Sequence, residues 1–175
     1  GGLATRMKPH TNKIPKALLL VNNKPFIYYQ LHYLKSQGFK KIVLCVGHLG
    51  EMIEEYVGDG SRFNLNVQYS YDGDKLLKTG GAINKAISLL GEEFFILYGD
   101  TFLPINYNEV ENFFHKRKTI GLITVIENKN KWDKSNIILK DNLIKKYAKN
   151  INDKNMTHID YGLSVFSAKA FNKYS

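Results

Sequence analysis

The first segment of the chain combines glycines with cationic side chains. It begins with Gly1 and Gly2, and Arg6 and Lys16 follow closely. A glycine pair lets the backbone turn tightly and approach a ligand, while arginine and lysine supply positive charge for an anion such as a phosphate. On these residues alone, a solvated chain end with basic side chains explains the composition equally well. The segment indicates a phosphate site only if other parts of the chain complete it.

Two further features could complete such a site. Thr79, Gly80 and Gly81 stand at the start of a predicted helix, where a flat group or a phosphate could lie against the backbone. Asp100 follows the apolar run EFFILYG, and a carboxylate at a strand end can bind a divalent cation. Each feature is also typical of an ordinary turn or helix cap. Together they describe a site for a nucleotide and a metal ion.

Predicted strands and helices alternate along the chain, which is typical of an α/β fold with a largely parallel sheet. The runs KKIVLCVG and EFFILYGD are continuous apolar stretches, and they predict strands that are buried on both faces. Helical spacing of apolar residues predicts helices after Pro25 and from Gly80 onward. Ligands of open parallel sheets bind at the carboxyl ends of the strands, so we expect Asp100 at the binding edge.

Composition restricts the class of protein. The chain has 175 residues, of which 43% are hydrophobic, and this predicts one folded domain. No stretch is long and apolar enough to cross a bilayer and no signal peptide is recognised, so we expect a cytoplasmic protein without a membrane partner. The net charge of +9 favours anionic partners, but the lysines are scattered, so no nucleic-acid partner is expected. The single cysteine, Cys45, excludes a disulfide framework and is expected to be buried.

The ordered set of motifs resembles that of the sugar-1-phosphate nucleotidyltransferases. In that family an apolar strand runs into a loop of the form G-G-x-G-T-R-x-x-P-x-T, followed by P-K-P. Here the loop reads GGLATRMKPHT and is followed by PKALLLV. The stretches KTGGAI and ILYGD resemble the second glycine motif and the metal-binding strand end of the family. The branch of manno-heptose-1-phosphate guanylyltransferases and N-acetylmuramate-1-phosphate uridylyltransferases is the most similar.

The resemblance implies a fold and an activity. The fold is Rossmann-like, with three α/β/α layers and a mixed, mainly parallel central sheet, as in the nucleotide-diphospho-sugar transferases. The implied enzyme joins a nucleoside triphosphate and a sugar 1-phosphate to give an NDP-sugar and pyrophosphate, with Mg²⁺ as cofactor. Two alternatives stay open. One is a cytidylyltransferase acting on a phosphorylated alcohol such as phosphocholine, and the other is a catalytically silent regulatory subunit that binds a nucleotide sugar.

The resemblance also implies roles for individual residues. Arg6 would bind the β- and γ-phosphates, and Lys16 would bridge the α-phosphate and the sugar phosphate. Asp100 would bind Mg²⁺. The residues implied to contact the nucleotide are Gly1, Gly2, Thr5, Thr79, Gly80 and Gly81. Those implied to contact the sugar are Asn136, Lys149 and Gly162.

Several departures from the family pattern limit these expectations. The third glycine of the signature is Ala4, and Tyr147 and Lys149 stand where the family carries Glu-Lys, so the sugar is left open. Neither the strand ahead of the glycine loop nor a second metal-binding aspartate is found in the sequence. We therefore expect residues 1–175 to be a single nucleotidyltransferase domain that lacks its first strand and its C-terminal segment. The base and the oligomeric state, including homo-oligomer formation, also stay open.

Overall fold

The computed structural model describes residues 13–149, 151 and 153–171. Strands and helices alternate along these residues, which confirms the predicted α/β class. The helices are α1 (Phe26–Ser36), α2 (Gly50–Val57), α3 (Lys78–Ala86) and α4 (Tyr107–Arg117). The strands are β1 (Leu20–Val21), β2 (Lys24–Pro25), β3 (Lys41–Val46), β4 (Asn66–Tyr71), β5 (Glu93–Leu97), β6 (Gly121–Glu127), β7 (Ile137–Lys140), β8 (Leu143–Tyr147) and β9 (His158–Ser167).

The pairing of these strands differs from the mainly parallel sheet that we expected. Within the described ranges, β3 and β4 form the only parallel pair. Strand β9 lies at the centre of the larger sheet, where it pairs antiparallel with β5, β6 and β7. The hairpins β7–β8 and β1–β2 are antiparallel as well. A continuous apolar run indicates a strand with both faces covered, but it does not fix the direction of the neighbouring strand, and among the described strands the expected parallel direction was wrong for this reason.

A cavity of about 300 Å³ lies between the β3–β4 pair and the five-stranded sheet. Its walls are mainly apolar side chains of α1, β3 and β5, including Leu44 and Phe95. In the part of the chain that the structure describes, β3 pairs only with β4 and β5 only with β9, so each strand has one unpaired edge. That residues 1–175 form a single domain stays a prediction. A strand in this cavity would find an unpaired edge on each side.

The expected burial of Cys45 was wrong. The residue was expected to be a buried apolar side chain in a strand covered on both faces, but it is exposed. Of the residues in β3, only Val46 is buried. Among the described residues, strand β3 has a strand partner on one side only, so β4 covers only one of its two edges.

Helix α1 connects two apolar clusters and so fixes the two sheets relative to each other. Its residues Ile27 and Leu31 belong to the first cluster, together with Val57, Phe63, Leu65 and Val67. Tyr33 and Leu34 of the same helix pack against the second cluster, which consists of Leu103, Tyr107 and Leu163. Each of these large side chains contributes about 1.5–3 kcal/mol when it is fully buried. None of the described helices has the length and apolar content that a membrane span requires.

Candidate active site

Lys16 and Asp100 contact each other in the structure. Lys16 begins a 3₁₀ turn that ends at Leu18, and Asp100 lies just beyond the end of β5. Lys16 Nζ is 2.8 Å from Asp100 Oδ2, although 84 positions separate the two residues. The two side chains are 41% and 51% exposed. Ion pairs this accessible contribute about 0–1 kcal/mol to stability, so this pair is better suited to act on a ligand than to hold the fold together.

Gln30 fixes the loop that carries Asp100. The side chain is buried in α1, and its Nε2 donates to the carbonyl oxygens of Tyr98 at 3.1 Å and Thr101 at 2.7 Å. These two residues flank Asp100 in the sequence. A buried amide needs hydrogen-bond partners, and here it finds them in the loop. Sequence reasoning missed Gln30, although a glutamine in the apolar stripe beside Ile27 and Leu31 was a signal that could have revealed it.

The second glycine motif opens onto a cavity of about 570 Å³. Helix α3 begins at Lys78, so Thr79, Gly80 and Gly81 lie in its first turn and line this cavity. Small-molecule sites have volumes of about 300–1,000 Å³, and the cavity lies within this range. A methyl group added to Gly80 would meet no atom within 4 Å. Glycine at this position therefore leaves the backbone accessible to a ligand and does not serve close packing.

Across the cavity, two tyrosines bind one carboxylate, and we call Tyr98, Tyr147 and Asp160 the Tyr–Asp–Tyr cluster. Both tyrosine hydroxyls donate to Asp160 Oδ2 at 2.9 Å. Burial, together with hydrogen bonding to Asp160, raises the pKa of Tyr98 to about 12 and also raises the pKa of Tyr147. Both hydroxyls therefore keep their protons at neutral pH and act as donors. No feature of the sequence singled out this cluster, because Tyr147 and Asp160 lie in different strands and Tyr98 lies just after a third.

The three residues predicted to contact the sugar all lie around this cluster. The N–H of Gly162 donates to Asp160 Oδ1 at 2.8 Å. Asn136 Oδ1 accepts from the backbone N–H of Asp160 at 3.4 Å. Lys149 Nζ lies 5.9 Å from the centre of the Tyr98 ring. The structure therefore brings these residues together, and their role in binding a sugar stays a prediction.

The other predicted residues lie in the N-terminal segment. Gly1, Gly2, Thr5 and Arg6 are outside the described residues. Their expected contacts with a nucleotide stay predictions.

Comparison with known families decides what kind of protein carries this site. Residues 1–155 match the nucleotidyl transferase family. The chain belongs to that family. The membership confirms the resemblance that the sequence motifs indicated.

Two curated nucleotidyl transferases illustrate the relationship. The D-glycero-α-D-manno-heptose 1-phosphate guanylyltransferase of Campylobacter jejuni is 37% identical over 111 residues, which are 63% of this chain and 49% of that protein. The N-acetylmuramate α-1-phosphate uridylyltransferase of Neisseria meningitidis is 40% identical over 107 residues, which are 61% of this chain and 46% of that protein. The chain thus spans about half the length of the curated relatives that it matches.

A solved structure supports the fold. HddC from Yersinia pseudotuberculosis, complexed with GMP-PN, superposes with a TM-score of 0.80 and 23% identity. The match covers 99% of this chain and 76% of that chain. At this level of identity the likeness concerns the fold, and it confirms the nucleotidyltransferase fold that we expected.

Asp100 suits the Mg²⁺ that a nucleotidyl transferase implies. Among the residues that the structure describes, no group of three or more histidine, cysteine, aspartate or glutamate side chains could hold a metal ion. Mg²⁺ is commonly bound through one or two carboxylates, with substrate phosphates and water completing its coordination. A single accessible carboxylate such as Asp100 fits this mode of binding, in which the substrate supplies the other ligands.

Gly162→Ala is expected to destabilise this nucleotidyl transferase. Gly162 has a φ of +94°, and a Cβ atom would lie 2.8 Å from both Oγ1 and Cγ2 of Thr101. Backbone strain and overpacking each cost about 1–3 kcal/mol, so the free energy of unfolding should fall by about 2–6 kcal/mol. Urea denaturation of both proteins measures this difference. An unchanged midpoint would show that the β9 backbone tolerates a side chain here.

Proposed function

We propose that this protein transfers a nucleotidyl group from a nucleoside triphosphate to a sugar 1-phosphate, giving an NDP-sugar and pyrophosphate. The observation that carries the proposal is the contact between Lys16 and Asp100 at 2.8 Å. A cation and a carboxylate from distant parts of the chain meet at the end of β5. Tyr98, at the same strand end, lines the 570 Å³ cavity, and the residues of the second glycine motif line it as well.

The reaction requires two anions to approach each other. A phosphate oxygen of the sugar 1-phosphate attacks the α-phosphorus, a new P–O bond forms, and the bond from the α-phosphorus to the β-phosphate oxygen breaks. The electron pair of the broken bond leaves with pyrophosphate. Phosphoryl transfer of this kind depends on positioning and on cationic stabilisation, and it needs no covalent protein nucleophile. Lys16 would neutralise the α-phosphate and the incoming sugar phosphate, and Gln30 would keep the Asp100 loop in position.

Asp100 would hold Mg²⁺ in this proposal. When bound, Mg²⁺ would offset the negative charge of the triphosphate. Release of Asp100 from Lys16 would then leave the ammonium group available for a phosphate. Arg6, outside the described residues, would bind the β- and γ-phosphates in line with its position in the family motif.

The proposal is tested by pairing nucleoside triphosphates with sugar 1-phosphates. The full-length protein is incubated with Mg²⁺ and each pair, and pyrophosphate release is followed by a coupled assay. At least one pair should yield pyrophosphate together with a new NDP-sugar in the mass spectrum. Turnover with CTP and phosphocholine, but with no sugar 1-phosphate, would instead indicate a cytidylyltransferase for phosphorylated alcohols. Nucleotide binding without any turnover would indicate a regulatory subunit.

Gly80→Ala should raise stability and weaken nucleotide binding at the same time. An alanine methyl group at this position meets open space, and alanine stabilises a helix over glycine by about 0.5–1 kcal/mol. The same methyl group would stand in the cavity where a nucleotide has to approach the backbone. We expect the KM for the nucleoside triphosphate to rise about tenfold, the scale of one disturbed contact in a pocket. Urea denaturation and steady-state kinetics measure the two effects, and an unchanged KM would contradict the role of Gly80.

The remaining expectations about the whole protein stay predictions. These are its cytoplasmic location, the absence of nucleic-acid and membrane partners, and homo-oligomer formation.

A further inference from the structure

Helix α1 binds the backbone of the segment that carries Asp100. Residues 98–106 connect β5 to α4 and form neither helix nor strand, so their backbone groups need partners outside regular secondary structure. Three carbonyl oxygens of this segment, and the first N–H of α4, find partners in side chains of α1 and of the residue directly after it. These side chains belong to Gln30, Tyr33 and Gln37, which we call the polar row.

Asp100 lies in a turn whose two ends are bound by the same amide. The N–H of Thr101 donates to the carbonyl oxygen of Tyr98 at 3.0 Å and closes the turn. Gln30 Nε2 donates to the carbonyl oxygens of both residues, so the turn cannot rotate against α1 without breaking a hydrogen bond of a buried amide. The helix thereby fixes the backbone from which the Asp100 carboxylate projects.

Tyr33 and Gln37 hold the rest of the segment. The hydroxyl of Tyr33 donates to the carbonyl oxygen of Ile105 at 2.8 Å, and Gln37 Oε1 accepts from the N–H of Tyr107 at 3.0 Å. The spacing 30, 33 and 37 is that of one helix face and extends over about 10 Å of the helix axis. The rings of Tyr33 and Tyr107 also pack together, with 5.8 Å between their centres. The segment is therefore held at both ends and not only beside the carboxylate.

The same helix also holds the turn that begins at Lys16. Ala17 and Leu18 in this turn pack against the first apolar cluster, to which α1 contributes. The N–H of Phe26, the first residue of α1, donates to the carbonyl oxygen of Leu19 at 2.9 Å. One helix therefore positions both the ammonium group and the carboxylate of the candidate site.

We propose that Tyr33 and Gln37 act with Gln30 as positioning residues, and that the polar row presets the Asp100 carboxylate to bind Mg²⁺ together with the nucleoside triphosphate. The inference rests on the proposed function. A lone carboxylate supplies few of the ligands of Mg²⁺, so its direction has to be fixed before the phosphates complete the coordination. Side chains that orient a metal ligand change metal affinity about 10- to 100-fold when they are replaced.

Hydrogen exchange of the free protein tests whether the polar row holds the segment. Tyr33→Phe keeps the ring and removes the hydrogen bond to Ile105. Amides of residues 98–107 should then exchange about fivefold faster, the scale of one neutral hydrogen bond in a local opening equilibrium. Tyr29→Phe is the matched control, because this tyrosine of α1 donates to the carbonyl oxygen of Val21, also at 2.8 Å. It should leave the exchange of residues 98–107 unchanged, and equal exchange in Tyr33→Phe and the wild type would overturn the proposal.

Nucleotide binding with and without Mg²⁺ tests the effect on the metal site. Isothermal titration calorimetry gives the Kd in EDTA and in excess Mg²⁺ for the nucleoside triphosphate that the wild type binds most tightly. The factor by which Mg²⁺ lowers the Kd should fall about tenfold in Tyr33→Phe/Gln37→Met, while the Kd in EDTA stays constant. Tyr29→Phe should keep the wild-type factor. If the double variant does not fold, Tyr33→Phe alone should lower the factor about fivefold.

Asp100→Asn distinguishes failure of the inference from failure of the proposed function. This variant should remove most of the effect of Mg²⁺ on the Kd. If it does so while the polar-row variants keep the wild-type factor, the inference fails and the proposed function stands. If Asp100→Asn also keeps the wild-type factor, Asp100 does not hold Mg²⁺, and its role in the proposed function fails together with the inference. If the wild type binds no nucleoside triphosphate, both fail.

Discussion

Asp100→Asn is expected to reduce pyrophosphate release below detection while the protein stays folded. The substitution keeps the size of the side chain and removes the negative charge that would hold Mg²⁺ beside the phosphates. It also turns the contact with Lys16 Nζ at 2.8 Å into a hydrogen bond with a neutral group. Because both side chains are about half exposed, the free energy of unfolding should change by about 1 kcal/mol or less. Pyrophosphate assays and urea denaturation measure the two quantities.

Asp141→Asn provides the control for this experiment. Asp141 lies in the turn between β7 and β8 with a φ of +54°, a conformation that asparagine adopts readily. Its activity and stability should match those of the wild-type protein. Equal activity of Asp100→Asn and Asp141→Asn would show that the carboxylate at the end of β5 takes no part in the reaction.

Lys16→Ala is expected to lower kcat/KM by about 10²-fold, the scale of one electrostatic contact that stabilises a transition state. The ammonium group would lie between two phosphates whose charge grows toward the leaving group. Its contact with Asp100 is accessible, so the loss of that ion pair should hardly change the unfolding midpoint. Steady-state kinetics with both substrates measure the effect on the reaction.

Lys146→Ala is the matched control for Lys16. Lys146 Nζ lies 3.1 Å from Asp153 Oδ2, and its side chain is 41% exposed, as is that of Lys16. Successive residues of a strand point to opposite faces, so Lys146 points away from the face of β8 that presents Tyr147. The control should retain wild-type kcat/KM. If both lysine variants lose activity equally, a general loss of surface charge would explain the effect of Lys16 instead.

Local patterns in the sequence predicted much of the fold. The apolar spacing after Pro25 predicted α1, and the run KKIVLCVG predicted β3. The end of β5 was less well placed, because the prediction continued to Asp100 whereas the strand ends at Leu97. The predicted parallel direction was wrong for most of the described strands, for a different reason. The antiparallel return of β9 beside β5 depends on how the whole C-terminal part folds back, and no local pattern records it.

Some residues of the candidate site were also predicted from the sequence, and others were missed. Lys16 and Asp100 were found because each stands in a sequence motif, and the structure brings them together. Asp160 was missed because it belongs to no motif, and its contact with Tyr147 forms only through the β9 bulge and the end of β8. Gln30 was predictable in part. The sequence shows a polar residue in the apolar stripe of a helix, but it does not show that the side chain donates to the carbonyl oxygens of Tyr98 and Thr101.

The most direct measurement is a ³¹P NMR spectrum of the full-length protein with Mg²⁺, a nucleoside triphosphate and a sugar 1-phosphate. Nucleotidyl transfer predicts that NDP-sugar and pyrophosphate appear in equal amounts as the two substrates disappear together. Asp100→Asn, measured in parallel, should leave both substrates unchanged. Conversion of the triphosphate to nucleoside diphosphate and inorganic phosphate, with the sugar 1-phosphate untouched, would contradict the proposed function.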